Sequence, residues 1–144
     1  WRCMADSFFR NRRLSEAHVA RIQAELDIFT ATIPGLRNAV IASIDGFPIA
    51  EASGQGGNGD RLAAMTSSML ALAKAVSREL ALGNMEVLMI EADEGKVLML
   101  SIPAPVPASP LLLMAACNQR SVIGNVLWSA RECSQKILSA WVDD

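Results

Sequence analysis

Between Asp60 and Leu82 runs a helical segment with too much apolar surface for one neighbour to cover. Leu62, Met65, Met69, Leu72, Val76 and Leu80 recur at steps of three and four, the spacing that places side chains on one helix face. Ala63, Ala64, Leu70, Ala71 and Ala73 widen that face far beyond an ordinary amphipathic stripe. After Asp60, only Arg61, Lys74, Arg78 and Glu79 are charged. A helix lying on a sheet covers one side and exposes the other, so this one requires a second apolar surface. Asp60 is the expected N-cap, and Gly83-Asn84 the expected stop.

The rest of the chain supplies a sheet for this helix. Ser15 is placed to cap an earlier helix whose apolar positions are Val19, Ile22, Leu26, Phe29 and Ile33, ending at Pro34-Gly35. Asn38 to Ile44 then meets Asp45-Gly46 and the run FPIAEA, which predicts an antiparallel hairpin. Both alternating sets of the first strand are apolar or small, so both sheet faces should be covered. Met85 to Ala92 and Lys96 to Pro103 flank Asp93-Glu94-Gly95 as a second hairpin. Pro110 to Cys117 reads as a further strand. A final helix starts near Ser121, with Val122, Val126, Ala130, Cys133 and Ile137 on one face and Trp128 and Trp141 flanking it. The order is helix, two strands, helix, three strands, helix.

The chain has little material for catalysis. Gly54 to Gly59 spells GxGxxG, but the strand before it belongs to a hairpin, whereas a dinucleotide fold needs a parallel crossover. An Asp60 cap would also occupy the helix N-terminus that a pyrophosphate requires, so the glycines read as a flexible loop. No GxxxxGK[ST] occurs, and the sole histidine, His18, reads as a surface residue. Asp93 and Glu94 are explained by solvation in a turn, and no nucleophilic triad can be assembled. Cys3, Cys117 and Cys133 have neither disulfide nor zinc spacing. No cofactor or metal is expected. The methionines read chiefly as core filler, with a second use at adaptable surfaces.

A net charge of -2 gives no global attraction to nucleic acid or anionic membrane. No run approaches the roughly 18 apolar residues of a membrane span, so a cytoplasmic location is expected. Arg2, Arg10, Arg12 and Arg13 gather with Phe8 and Phe9 in residues 1–13. A flexible solvated tail is preferred there over a docking arm. Trp1 is not an initiator residue, so either Met4 is the natural start or the sequence is a fragment.

The segment IPGLRNAVIASIDGFPIAEA resembles the opening hairpin of the Roadblock/dynein light chain family. The alanine- and methionine-rich helix, the strands around Gly95, and LLLMAACNQRSVIGNVLWSAREC are similar to that family in order and length, covering about Leu14 to Leu138. The resemblance implies one Roadblock-like domain over residues 14–144 with an α+β fold. This is a Roadblock/profilin-like α/β/α sandwich: a five-stranded antiparallel sheet with the long helix on one face and two helices on the other. It also implies a homodimer in which long helices pack together and the Met85 to Ala92 edge pairs with its mate. Met65, Met69, Ala73 and Val76 are the expected helix contacts, and Glu86, Leu88 and Ile90 the expected strand contacts. Family members are scaffolds or regulators of motor complexes and small Ras-like GTPases, and some prokaryotic relatives activate GTP hydrolysis. The resemblance therefore implies a non-enzymatic regulator or adaptor of such a GTPase, with Arg61 and Arg78 as possible contacts. A nucleotide-independent scaffold and a metabolite-sensing domain are the alternatives.

Overall fold

A computed structural model describes residues 14–53, 58–105 and 108–142. Helix α1 (Glu16–Thr32) is followed by strands β1 (Leu36–Ser43) and β2 (Pro48–Ser53), then by α2 (Gly59–Glu79). Strands β3 (Val87–Ala92), β4 (Gly95–Ile102) and β5 (Leu111–Asn118) precede α3 (Ile123–Val142). The strands form one antiparallel sheet in the order β2-β1-β5-β4-β3, which leaves β2 and β3 at the edges.

Side-chain alternation divides the core into two layers, as the two-sided apolar strands require. Ile41, Leu98, Leu100 and Leu113 point to one face and pack beneath α1 and α3, with Ile22, Leu26, Val126 and Ile137. Val40, Met99, Leu112 and Met114 point to the other, beneath Ala63 and Leu70 of α2. The expected α/β/α arrangement is therefore observed.

Both hairpins follow from their turn residues. The Ser43 carbonyl accepts from Gly46 N at 3.0 Å, and Ser43 N donates to the Phe47 carbonyl at 2.8 Å, enclosing a three-residue loop. Gly46 has φ +91°, the left-handed position that such a loop demands. Helix α2 is fastened to this loop, since Ser67 Oγ donates to the Ile44 carbonyl at 2.7 Å. In the second hairpin, a Cβ added to Gly95 would lie 2.7 Å from the carbonyl oxygen of Cys117 on β5. Only glycine permits so close a strand approach.

Several local expectations are corrected. Asn58, not Asp60, caps α2: its Oδ1 accepts from Asp60 N at 2.9 Å and Arg61 N at 3.4 Å. Asp60 lies within the first turn, where its charge favours the helix N-terminus. The helix also stops before Gly83-Asn84. Ala81 N donates to the Arg78 carbonyl and Leu82 N to the Ser77 carbonyl, a Schellman ending with Ala81 at φ +52°. The first strand begins at Leu36 and the last helix at Ile123, leaving Val122 exposed. His18 is buried, its ring 4.4 Å from that of Trp141 in an edge-on contact, so it is not a surface residue. The α1 N-terminus binds it there, with His18 N donating to Ser15 Oγ at 3.1 Å.

The left-handed Ala81 stores removable strain, because an alanine Cβ crowds the following carbonyl in that region. Ala81→Gly should stabilise the chain by about 0.5–1 kcal/mol after allowing for the freer glycine in the unfolded state. Gly95→Ala should destabilise it through the Cys117 contact. Urea denaturation of both variants would check the opposed signs.

Candidate protein interface

The sheet settles which side of α2 is left over. Ala63, Thr66 and Leu70, at steps of three and four, are buried against it. Leu62, Met69 and Ala73 are half-buried at the flank, and Met69 packs in the cluster that includes Leu88 and Ile90 of β3. Met65, Leu72 and Val76 are more than half exposed, Leu72 at 67%. Leu80 and Leu82, at the Schellman ending, are also exposed, at 62% and 70%. The chain thus presents a ridge of large apolar side chains to water.

The expected interface positions divide accordingly. Met65 and Val76 lie on the open ridge, Met69 and Ala73 at its sheet-side margin, and Leu88 and Ile90 half-buried on β3. Glu86 is exposed just before β3, where Arg131 of α3 stands 3.6 Å away; both side chains are largely solvated, so the pair adds little stability. Arg61 is exposed one helical turn before Met65, and Arg78 is exposed on a different flank. Leu72, Leu80 and Leu82 were not among the expected contacts. The three-and-four spacing already marked the first two, whereas Leu82 lies beyond the helix.

The two sheet edges differ. On β2, the Gln23 amide of α1 brackets Glu51: Nε2 donates to its carbonyl at 3.0 Å, and Oε1 accepts from its N-H at 3.3 Å. A side-chain amide here stands in for a neighbouring strand and blocks strand addition. Among the described residues, no side chain does the same for β3. The backbone edge beside the α2 ridge is therefore the open one.

Residues 54–57 of the GxGxxG run lie outside the described residues. Asn58, not Asp60, occupies the helix-terminal N-H groups that a phosphate would need. No group of His, Cys, Asp and Glu residues with metal-binding geometry occurs among the described residues. No helix among them is long and apolar enough to cross a membrane.

The Roadblock/LC7 domain model matches residues 22–103, from α1 through β4. The chain belongs to the Roadblock/LC7 family. No curated protein matches it by sequence. Among solved structures, Myxococcus xanthus MglB superposes with TM-score 0.76 at 16% identity, covering 91% of this chain and 95% of that one. A Roadblock/LC7 domain from Streptomyces avermitilis gives TM-score 0.74 at 13% identity, covering 83% and 97%. Acanthamoeba castellanii profilin IA gives 0.51 at 14% identity, covering 82% and 97%, so this Roadblock fold is also profilin-like.

Among the described residues, the free cysteines Cys117 and Cys133 are both buried. Burial, assisted by the Glu25 carboxylate, pushes the Cys133 thiol from its ordinary 9.0 up to about 12. Between those values the folded chain holds a proton that the unfolded chain releases, so this contribution is complete below about 9 and is lost toward 12. Stability followed by denaturation across that range should fall more steeply for the wild type than for Cys133→Ala.

Proposed function

We propose that this Roadblock chain acts as a homodimeric regulator of a small Ras-like GTPase and performs no bond chemistry itself. The observation that carries the reading is the exposed Met65-Leu72-Val76 ridge beside an uncapped β3 edge. A two-fold contact would cover the ridge and complete the edge together, because an isologous interface joins like surfaces. Met69 and Ala73 at the margin, with Glu86, Leu88 and Ile90 along the strand, would complete it.

Regulation then follows from differential affinity. A dimer surface that prefers one arrangement of the GTPase switch loops shifts the population toward it. Arg61 adjoins the ridge and Arg78 lies on another flank, so either arginine can face a partner when the dimer forms. Arg61 is the better placed to enter a site shaped by the dimer, where a trans arginine stabilises phosphoryl-transfer charge. A cytoplasmic address accords with such a partner.

Leu72→Glu should give a folded monomer. Leu72 is exposed in the single chain, so circular dichroism should keep its shape, while paired carboxylates across a two-fold axis would cost several kcal/mol. Light scattering that still finds a dimer at micromolar concentration removes the ridge from the interface. Ala73→Glu, set toward the sheet, should instead lower thermal stability in either association state.

For the GTPase itself, the chain should retain candidate Ras-like GTPases loaded with a GTP analogue more strongly than the same proteins loaded with GDP. Turnover of GTP should then change on Arg61→Ala if that residue acts in trans. Retention indifferent to nucleotide would instead support a structural scaffold.

A further inference from the structure

Helix α2 begins on a chemically labile pair of residues. Asn58-Gly59 is the one Asn-Gly pair in the sequence, and Asn58, the capping residue, is exposed to water. Such a pair can close on itself: the glycine N attacks the asparagine Cγ, and a residue without Cβ leaves that N unhindered. Gly59 is the first helical residue, so the helix offers its N-H no acceptor. The cap opposes the attack. Asn58 Oδ1 accepts from Asp60 N at 2.9 Å and Arg61 N at 3.4 Å, with the residue held at ψ 118°. At that angle Cβ and the Gly59 N stand well apart about the Cα-C bond, whereas ring closure needs them nearly eclipsed.

We propose that Asn58-Gly59 is a deamidation site gated by the α2 cap, and that its isoaspartate product releases the first turn of the helix. Once the cap opens and ψ rotates, Gly59 N gives its proton to hydroxide and bonds to Cγ. The side-chain amide leaves as ammonia, taking a proton from water and regenerating hydroxide. Water then opens the cyclic imide: attack on Cγ gives aspartate, and attack on the original main-chain carbonyl leaves the chain running through Cγ as isoaspartate. The balance is one water consumed and one ammonia released. Aspartate keeps an oxygen where the cap needs it, and its charge suits a helix N-terminus. That charge enters beside Asp60 and beside Glu51 of β2, whose carboxylate lies against Gly59. Isoaspartate instead draws the capping carbon into the main chain and lengthens it by one methylene. Asp60 N and Arg61 N then lose their acceptor, and the Asn58 carbonyl that accepts from Leu62 N at 2.9 Å becomes a free carboxylate. The chemistry depends on neither the dimer nor any GTPase.

Ageing the full chain at mildly alkaline pH, followed by peptide mass spectrometry, tests it. Conversion is expected at Asn58 ahead of Asn38, Asn84, Asn118 and Asn125, at a rate that rises with hydroxide and with isoaspartate and aspartate as products. No conversion at Asn58, or a rate no higher than at those other asparagines, would overturn the site. In urea sufficient to unfold the chain, conversion at Asn58 should quicken by about fivefold, the factor for a cap of about 1 kcal/mol. An equal or slower rate there would overturn gating by the cap. Hydrogen exchange reads the consequence: the Arg61 and Leu62 N-H groups should exchange faster once the wild-type chain has aged. Asn58→Ser retains a capping oxygen but has no amide to lose, so its exchange should not change on ageing. Gly59→Ala is the poorer control, because its Cβ would collide with the Glu51 carboxylate. Faster exchange in both aged chains, or in neither, would overturn release of the first turn.

Discussion

The structure depends on a sheet whose central strands are apolar on both faces. Ile41 and Leu113 must be covered on one side, and Val40, Leu112 and Met114 on the other. Leaving either set in water would forfeit about 25 cal/mol for each square ångström of apolar surface exposed. Two helices suffice for the first face because α1 and α3 also pack together, with Cys133 Sγ meeting the Glu25 carbonyl at 3.7 Å. The second face has α2 alone, and a single helix cannot turn all its apolar residues to one sheet.

That asymmetry links fold to use. Ala63, Thr66 and Leu70 satisfy the sheet with small or compact side chains, which lets α2 sit close and be fastened to the first turn by Ser67. The large side chains Met65, Leu72 and Val76 are consequently turned outward. The edges obey a related logic: Gln23 closes β2, while the side of the sheet nearest the Met69, Leu88 and Ile90 cluster stays open. Strand addition at the β2 edge would first have to displace the Gln23 amide.

Periodicity made the element order legible, because burial on one face imposes a repeat of 3.6 on helices and of 2 on strands. Ser15 as a cap, the Asp45-Gly46 loop and the hairpin closed by Asp93-Glu94 could be read locally, since each needs only neighbours in the chain. The long helix's excess of apolar surface could be read too, and with it the need for a second surface. Which residues formed that surface could not, because Leu70 and Leu72 are equally apolar and only the direction of the sheet separates them.

The sequence by itself determined the elements, the two-layered core and the shortage of catalytic groups, all consequences of local pattern and composition. Tertiary structure alone decided matters that depend on distant neighbours. His18 passed from surface to core because Trp141, over a hundred residues away, closes upon it. Asn58 displaced Asp60 as cap because α2 begins at Gly59, two residues earlier than the charge pattern suggested, although this change is local. Gln23 acquired its part at the β2 edge only when α1 was laid beside Glu51, a pairing that no local pattern encodes. Side chains close in space but remote in the chain leave no periodic trace, and the guarded β2 edge and the His18–Trp141 contact are built from such pairs.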